Sequence, residues 1–501
     1  MGELESNLAL AVSERNFLDV LCTLEKKYDV SSLRYKGTQY WPLLRMMLGF
    51  ENDPLVPPAQ EKAGIKDRFR KYLYALSSFF ESFIDPKSNL GRSGPSDVYY
   101  LTHSTCRSLK IKGKYFDAFF SPLRHWCEAA NNQISFYAEE FVPGAEYRTP
   151  RSEKTAYIQK YLTLISLLGG SRSKSTKLEE SDIALIENLK SEIELQGFTA
   201  RSINFPAIQK ALTQLDLHKE RFSKVLKSTQ PNIVLVVTYY NILGFSLMAA
   251  ANALGIKTID LQHGVQGPGH FAYGNWGRVP EGGWDMLPRL FWNWTAEDVV
   301  NVNSWGGQAH TGILGGRIFS QYLSEVDVEF SEYKTLTSRI KNSGCERVTL
   351  ITLQPIECED FLQALLDAMQ SPECESVFWL FRLHPAMMDK QDIYSARFKN
   401  KCSDLDLCSN LPIDYVLKLA DLHVTLNSSV TIEAALEGVP TLLDHNCSYY
   451  MEWQNLGIAQ RREEGQAWAV AIANHLNNGN RFLKAQDKPS AKKMILELTS
   501  N

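Results

Sequence analysis

Several signatures of catalysis and binding are absent from this sequence. H-E-x-x-H, G-x-S-x-G, the Walker sequence and G-x-G-x-x-G do not occur, and the ten histidines are scattered without metal-ligand spacing. These absences argue against metalloproteases, α/β-hydrolases, P-loop proteins and dinucleotide-binding enzymes. The sequence predicts neither a bound metal nor a cofactor.

The chain also lacks an excess of positive charge. Its 53 Lys and Arg residues are outnumbered by 57 Asp and Glu residues, which gives a net charge of −4. Nucleic-acid binders normally need a broad positive field. We therefore expect no nucleic-acid partner.

Cysteine usage and the first residues both predict a cytoplasmic protein. The nine cysteines include no C-x-x-C pair, and several lie in apolar runs, where a buried reduced thiol is expected. The opening MGELESNLALAVSERNF has early acidic residues and no long apolar core, unlike a secretory signal.

One uncharged run, residues 233–256, is long enough to cross a bilayer. It opens with β-branched residues, breaks at T-Y-Y-N (238–241) and resumes as the helix-like GFSLMAAANALG. This pattern predicts a strand, a turn and a helix, as in a parallel sheet that is covered on both faces.

A chain of 501 residues, 44% of them apolar, is too long for one ordinary core. Strand-like and helix-like segments alternate from about residue 95, which predicts an α/β fold with two Rossmann-like doubly wound domains facing a cleft. The predicted domains are a mainly helical N-terminal extension (1–94), a first Rossmann-like domain (95–318), a second one (319–480) and a C-terminal tail (481–501). The predicted strands are 97–103, 133–139, 231–237, 257–262, 289–294, 310–315, 347–353, 376–383, 422–427 and 441–445.

The loops after these strands should hold the chemistry, because ligands of open α/β sheets bind outside the carboxyl ends of the strands. In the second domain, H-P (384–385) follows one strand, and S-S-V-T (428–431) follows another and leads into a helix. Hydroxyls and backbone N–H groups at a helix N-terminus can bind an anion, so phosphate is the predicted ligand. A plain serine N-cap and a proline that ends a strand are the structural alternatives. The predicted donor-binding residues are Gln354, Arg382, Pro385, Ser428, Ser429, Val430, Thr431 and Glu433.

In the first domain, D-L-Q-H-G (260–264) ends a strand and runs into the glycine-rich, aromatic segment VQGPGHFAYGNWGRVPEGGW. Long loops of this composition are usually functional, so we interpret the segment as a binding loop for an acceptor. For His263 alone, the alternative is a buried histidine that bonds a backbone carbonyl. The predicted acceptor contacts are Arg107, Gln262, Gly264, His270, Tyr273 and Trp276.

L-T-H-S-T-C-R (101–107) places His103 at another strand end, where an acceptor contact and a solvated turn are equal alternatives. His263, His103 and Asp260 are the candidates for a catalytic base.

The segment IKDRFRKYLYALSSFFESFI (65–84) mixes basic and aromatic residues. Such a helix can lie at the surface of the inner membrane, and packing against the main body is the alternative. The predicted location is therefore the cytoplasm, with a peripheral membrane contact as one option.

F-R-L-H-P (381–385) and N-S-S-V (427–430), the latter leading into EAALEGVP, resemble motifs of bacterial GT-B glycosyltransferases of capsule and O-antigen biosynthesis. The similarity is to the sialyltransferase-like and Kdo-transferase-like enzymes in particular, and it covers about residues 95–480. It implies a CMP-activated sugar acid as donor, His384 as a leaving-group contact and acid, and Ser428 and Ser429 as phosphate ligands. The acidic-acidic-Gly motif that supplies the base in many sialyltransferases is not obvious upstream of these motifs.

The sequence thus predicts a metal-independent glycosyltransferase that moves a sugar from a nucleotide donor to a surface-polysaccharide or glycolipid acceptor. No cofactor is expected, because the nucleotide sugar is itself the substrate. The alternatives are a UDP-sugar 2-epimerase-like enzyme and a non-catalytic nucleotide-sugar-binding protein. The N-terminal extension and the aromatic loop favour an enzyme that uses an acceptor.

Overall fold

The structure is a computed structural model that describes most of the chain. The described residues are 16–53, 94–107, 109–130, 134–141, 150–153, 155–159, 161–162, 165, 176–326, 328–355, 358–444, 451–455, 457–478 and 489–500.

The chain divides into two units. Unit 1 comprises residues 1–106, 118–318 and 490–501, and unit 2 comprises residues 107–117 and 319–489. These ranges differ from the predicted domains in three respects: the N-terminal segment and the C-terminal helix belong to unit 1, and the short segment 107–117 belongs to unit 2.

Seventeen strands lie in the described part of the chain, most of them within a few residues of their predicted bounds. The strands are β1 Arg34–Tyr35, β2 Thr38–Gln39, β3 Val98–His103, β4 Leu109–Ile111, β5 Lys114–Phe116, β6 Phe136–Phe141, β7 Ala156–Tyr157, β8 Ile233–Val236, β9 Lys257–Leu261, β10 Leu290–Asn293, β11 Thr311–Leu314, β12 Arg347–Thr352, β13 Val377–Arg382, β14 Ser403–Asp404, β15 Leu422–Thr425, β16 Thr441–Leu443 and β17 Ala459–Arg461.

The α-helices of the described part alternate with these strands. The helices are α1 Phe17–Lys27, α2 Trp41–Asn52, α3 Phe120–Ala129, α4 Glu180–Leu195, α5 Phe205–Thr229, α6 Ile242–Ala253, α7 Ala296–Gly306, α8 Ile318–Glu325, α9 Ser331–Ser343, α10 Glu359–Met369, α11 Gln391–Arg397, α12 Asp406–Asn410, α13 Ile413–Leu419, α14 Val430–Leu436, α15 Met451–Asn455, α16 Trp468–Asn478 and α17 Ala491–Ser500.

Each unit is built on one parallel sheet. The strand order is β11-β10-β9-β8-β3-β6-β7 in unit 1 and β14-β13-β12-β15-β16-β17 in unit 2. In both sheets the chain starts in the middle, builds one side and then returns to build the other. The order reverses between β3 and β8 in unit 1 and between β12 and β15 in unit 2. This layout confirms the predicted α/β fold with two Rossmann-like doubly wound domains, which are the components of a GT-B-like fold.

The sheet of unit 2 is covered on both faces, which explains its near-continuous apolar strands. Successive residues of β13 point to opposite sides. Trp379 and Phe381 belong to one buried cluster together with Ile472 of α16. Phe378 and Leu380 belong to another, together with residues of α13 and α14.

The N-terminal segment is part of the core of unit 1 and not an appended extension. Phe17, Leu21, Leu44 and Leu48 are buried in the same cluster as Val234 of β8. Burial of each such side chain is worth about 1.5–3 kcal/mol. The segment therefore stabilises unit 1 directly.

A buried ion pair joins this N-terminal segment to the loop that follows β9. Arg45 and Glu25 are both inaccessible to solvent and form an ion pair. Arg45 also donates to the carbonyl oxygens of Phe271 at 2.9 Å, Gly274 at 3.1 Å and Asn275 at 3.0 Å. Glu25 accepts a hydrogen bond from the backbone N–H of Gly277 at 2.6 Å.

The uncharged run 233–256 folds as β8, a turn and α6, as the sequence predicts. The turn is tight, because a Cβ atom on Gly244 would lie 2.3 Å from the carbonyl oxygen of Tyr239. None of the helices in the described ranges is both long and apolar enough to span a membrane. Residues 65–84 lie outside the described residues, so the membrane contact stays a prediction.

Candidate functional site

The predicted donor residues of unit 2 lie along one edge of its sheet. Thr352 pairs with Arg382 on one side and with Thr425 on the other, so β12, β13 and β15 end at the same level. Gln354, His384 and Ser428 follow these three strands within a few residues. The edge includes the point between β12 and β15 where the strand order reverses, which is where open α/β sheets bind ligands.

The two adjacent serines after β15 have different surroundings. Ser428 is 5% exposed, and its hydroxyl accepts the Val430 N–H at 3.3 Å. The Ser428 N–H in turn donates to the Thr425 hydroxyl at 3.3 Å. Ser429 is half-buried, and its hydroxyl has no partner among the described residues. Ser428 thus caps the turn into α14, whereas the Ser429 hydroxyl is available to a ligand.

The remaining predicted donor residues on α14 are occupied or peripheral. The Thr431 hydroxyl is buried and donates to the Ser428 carbonyl at 2.9 Å, which makes it part of the turn. Val430 and Glu433 are half-buried on α14, and Pro385 is exposed after β13. The sequence predicts a direct phosphate contact for the Thr431 hydroxyl. In the structure this hydroxyl instead stabilises the turn.

Arg382 keeps part of its guanidinium free. Its Nη1 donates to the carbonyl oxygens of Cys408 at 2.7 Å and Leu411 at 2.6 Å, which satisfies the C-terminal end of α12. Its Nε and Nη2 make no hydrogen bond within the described ranges. These two nitrogen atoms form one edge of the planar guanidinium group, and such an edge can donate to two oxygens of a phosphate or carboxylate.

His384 and Gln354 complete this edge. Burial lowers the pKa of the half-buried His384 imidazole, so the ring is neutral at neutral pH. The side-chain amide of Gln354 is half-buried and has no hydrogen-bond partner in the described part of the chain. Edge A, as we name it, consists of Gln354, Arg382, His384 and Ser429.

Polar side chains also meet at the corresponding edge of unit 1. Leu101 pairs with Val236, and Val236 pairs with Asp260, so the carboxyl ends of β3, β8 and β9 lie side by side at the same edge of the sheet. The residues that follow bring His103, Thr238, Tyr240 and His263 to their carboxyl ends. The strand order of unit 1 reverses between β3 and β8, so this cluster, edge B, also lies at a switch point.

His263 is the centre of edge B. Its Nε2 lies 3.3 Å from the Thr238 hydroxyl and 3.4 Å from the Tyr240 hydroxyl. Its Nδ1 is buried and has no partner among the described residues. If the two hydroxyls donate to Nε2, the proton of the neutral ring is on Nδ1. The Nδ1–H donor then has no acceptor among the described residues, which differs from the backbone-bonded histidine considered as the alternative.

Burial and, to a smaller extent, the neighbouring His103 lower the pKa of His263 to about 4. The ring is therefore neutral at neutral pH and is a weak base. His103 itself is half-buried and contacts Thr105 and the Cys106 thiol, which lies 3.5 Å from its Nε2.

Thr238 is held in an unfavourable backbone conformation. Its φ is +69°, a region that β-branched residues rarely adopt. Such strain often occurs at functional sites, where the surrounding structure maintains it. Here the neighbouring Tyr239 N–H donates to the Asp260 carboxylate at 3.0 Å.

Asp260 is a buried structural centre and does not face a ligand. Its carboxylate also accepts the Tyr273 hydroxyl at 2.7 Å. Burial raises the pKa of Asp260 to about 7, against the opposing effect of these hydrogen bonds. The role of catalytic base proposed from the sequence is replaced here by positioning, since its oxygens hold the turn that carries Thr238 and Tyr240.

The loop after β9 packs into unit 1, which corrects its interpretation as a loop that presents aromatic residues to an acceptor. Tyr273 is fully buried and Trp276 is 6% exposed. The Trp276 ring lies 4.1 Å from the Arg45 guanidinium. Gln262 is 1% exposed and bonds the Gly264 carbonyl at 2.9 Å and Asp298 at 3.0 Å.

Two further predicted acceptor residues have different locations: His270 lies beside edge B and Arg107 lies in unit 2. His270 is half-buried, accepts the Ala272 N–H at 3.0 Å, and packs against Tyr240 with ring centroids 5.3 Å apart. Arg107 is fully buried in unit 2, 3.9 Å from Asp117. Arg107 therefore stabilises the base of the β4–β5 hairpin, which sequence reasoning did not predict.

Sequence reasoning missed Thr238 and Tyr240 as site residues. The break T-Y-Y-N after a β-branched run marks a turn at a strand end, which is where site residues were sought elsewhere. The positive φ of Thr238 has no signal in the sequence, because threonine normally avoids it.

Groups of three or more His, Cys, Asp or Glu residues with the geometry of a metal site do not occur among the described residues.

No protein-family model matches the sequence, and no curated protein matches it. A comparison with solved structures finds similarity at low sequence identity. UDP-GlcNAc 2-epimerase from Methanocaldococcus jannaschii, in complex with UDP-GlcNAc and UDP, has 12% identity and a TM-score of 0.48, over 81% of this chain and 99% of that chain. A putative UDP-N-acetylglucosamine 2-epimerase from Listeria monocytogenes has 14% identity and a TM-score of 0.47, over 81% of this chain and 95% of that chain. The glycotransferase of kitacinnamycin has 11% identity and a TM-score of 0.41, over 81% of this chain and 94% of that chain. Similarity at this level says nothing about the substrate of this chain.

Proposed function

We propose that this protein is an enzyme that acts on a nucleotide-activated sugar. The observation that carries the proposal is the position of edges A and B. Each lies where the strand order of a doubly wound sheet reverses, and each holds polar atoms that make no hydrogen bond among the described residues: the Ser429 hydroxyl in edge A and Nδ1 of His263 in edge B.

Edge A supplies the phosphate contacts in this proposal. Three groups make no hydrogen bond within the described part of the chain: the Ser429 hydroxyl, the Nε and Nη2 atoms of Arg382, and the Gln354 amide. Donors held in place before the reaction stabilise charge that develops on a departing phosphate. We assign His384, which follows β13, as a further contact of that phosphate.

Edge B supplies the contacts to the sugar. A ring with a pKa of about 4 does not take up a proton at neutral pH. We therefore assign His263 as a neutral hydrogen-bond donor that orients a sugar hydroxyl, in place of the catalytic base expected from the sequence. Neutral imidazoles act in this way in other enzymes.

The finer form of the proposal is transfer from a CMP-activated sugar acid to a surface glycan or glycolipid. The free donors of Arg382 support an anionic donor of this kind. Contact of residues 65–84 with the inner membrane belongs to the same proposal, because a glycolipid acceptor would lie there.

A second candidate is 2-epimerisation of a UDP-sugar, which needs no acceptor. The burial of the loop after β9 favours it, since that loop was the feature that favoured an acceptor. A non-catalytic binding protein would use edge A alone. It would leave two features without a purpose: the strained Thr238 and the Nδ1 atom of His263, which has no partner among the described residues.

The test combines binding with product analysis. We expect CMP, UDP, GDP or CDP to raise the thermal midpoint, since a ligand at 100 times its dissociation constant adds about 2.7 kcal/mol. The matching nucleotide sugar is then incubated in D₂O with and without acceptor glycans. Transfer gives a product only with acceptor, and epimerisation gives deuterium at C2 without it. Absence of binding to all four nucleotides would contradict the proposal.

A further inference from the structure

One exposed aromatic side chain lies beside edge B. Phe50 is 45% exposed, although α2 is otherwise mostly buried. It is the aromatic member of the large exposed apolar residues in the described part of the chain. Its ring centroid is 6.4 Å from that of Tyr240, whose hydroxyl lies 3.4 Å from His263 Nε2.

The end of α2 that carries Phe50 is anchored and does not fray. The Glu51 carboxylate accepts the backbone N–H groups of Arg201 at 3.1 Å and Ser202 at 2.9 Å. The Asn52 side chain exchanges hydrogen bonds of 2.9 Å with the backbone of Thr199. On the other side, a Cβ atom on Gly49 would lie 2.7 Å from the Phe271 ring, so the helix is closely packed there. The backbone that carries Phe50 is therefore anchored, while 45% of the Phe50 side chain remains exposed.

The groups around this ring suit a neutral, hydroxyl-rich ligand. Thr238 and Tyr240 contribute hydroxyls, and His263 contributes an imidazole that is uncharged at neutral pH. A phosphate would need cationic donors, which edge A offers. A pyranose ring has an apolar face of C–H groups and a rim of hydroxyls. Aromatic rings with a negative π-face attract such C–H groups.

We propose that Phe50 and Tyr240 form a platform on which the pyranose ring of the substrate stacks, beside His263. The inference rests on the proposed function and adds the residues that recognise the sugar. Phe50 is then a determinant of affinity for the sugar portion and not for the nucleotide.

The experiment compares ligands that differ only by the sugar. Dissociation constants of UDP, UDP-GlcNAc, CMP and CMP-N-acetylneuraminic acid are measured by calorimetry for wild type, Phe50→Ala, Phe50→Trp and the control Leu195→Ala. Leu195 is an exposed apolar residue of another helix in unit 1, 80% accessible. We expect Phe50→Ala to weaken binding of the nucleotide sugar about threefold to tenfold and to leave the free nucleotide unchanged. Phe50→Trp and Leu195→Ala should bind like wild type.

Several results would overturn the platform while leaving the proposed function intact. One is unchanged affinity of Phe50→Ala for the nucleotide sugar. Another is equal weakening of nucleotide and nucleotide sugar, which would place the base on Phe50. A third is a fall in thermal midpoint of more than about 5 °C with unchanged affinity, which would show that the chain itself covers the ring.

Failure of the proposed function is a separate result, namely no binding of any nucleotide or nucleotide sugar by wild type. Saturation-transfer NMR with methyl glycosides then decides about the platform alone. Transfer of saturation from the protein to the sugar C–H protons in wild type, and loss of this signal in Phe50→Ala, would support the platform. Absence of saturation transfer to the sugar in wild type would overturn the platform.

Discussion

Neighbouring residues of the same type have different roles in this protein, as Ser428 and Ser429 show. The Ser428 hydroxyl caps the turn into α14, and the Ser429 hydroxyl is free for a ligand. A sequence pattern cannot separate them, because both fit an N-cap and both fit an anion site.

Single substitutions should separate these roles. Ser429→Ala should weaken nucleotide binding by about 1.5–3 kcal/mol, the value of a hydrogen bond to a charged oxygen, without lowering the thermal midpoint. Ser428→Ala should instead cost about 1 kcal/mol of stability through the lost cap. Calorimetric titration and thermal melts of both variants provide the measurement. Wild-type nucleotide affinity in Ser429→Ala would show that the hydroxyl is not a phosphate ligand.

At the level of elements, the strand ends were predictable and the packing of the loop was not. β-branched runs bounded by turns predicted β8, β9, β12, β13 and β15, and with them the positions of His263, His384 and Ser428. The glycine-rich composition of the loop after β9 does not reveal which way its aromatic side chains face. That is decided by Arg45, which is 226 residues away in the sequence from its partner Phe271.

Removal of Arg45 should therefore destabilise unit 1 strongly. Arg45→Met leaves the Glu25 carboxylate buried without its partner, which typically costs about 3–5 kcal/mol. Arg34→Met is the matched control, because the pair of Arg34 with Asp285 is 3.7 Å long and half-exposed, and such pairs are worth about 1 kcal/mol or less. Urea denaturation measures both. Equal, small losses in the two variants would refute a structural role for the buried pair.

At the scale of the whole molecule, most of the strongly shifted histidines lie in unit 1. Burial lowers the pKa from 6.5 to about 4 for His218, His263 and His310 and to about 3 for His270 and, in unit 2, His423. Burial acts in the opposite sense on four carboxyls. It raises the pKa of Asp260 to about 7 and of Asp298 to about 6, and it also raises the pKa of Asp182 and Asp404.

These shifts predict a loss of stability in mild acid. Between pH 6.5 and about 4 the unfolded chain protonates five histidines that stay neutral in the folded protein, so the free energy of unfolding falls as the pH is lowered. The four carboxyls with a raised pKa oppose this, since the folded state holds their protons, but the five histidines outnumber them. Scanning calorimetry should show a falling midpoint from about pH 6 to pH 4, and His310→Gln should make the fall shallower. A midpoint that stays constant over this range would contradict the assignment of buried neutral histidines.

The measurement that most directly tests the account is turnover and nucleotide affinity of His263→Gln, determined on the same preparation. The amide keeps a donor but cannot reproduce the geometry of the ring, so turnover of the nucleotide sugar should fall by about 100-fold or more, as for loss of a positioned donor in other active sites. Nucleotide affinity should stay within about twofold of wild type, because a group that acts only on the sugar contributes nothing to nucleotide binding. Unchanged turnover in His263→Gln, with the protein folded, would contradict the central claim that edge B acts on the sugar.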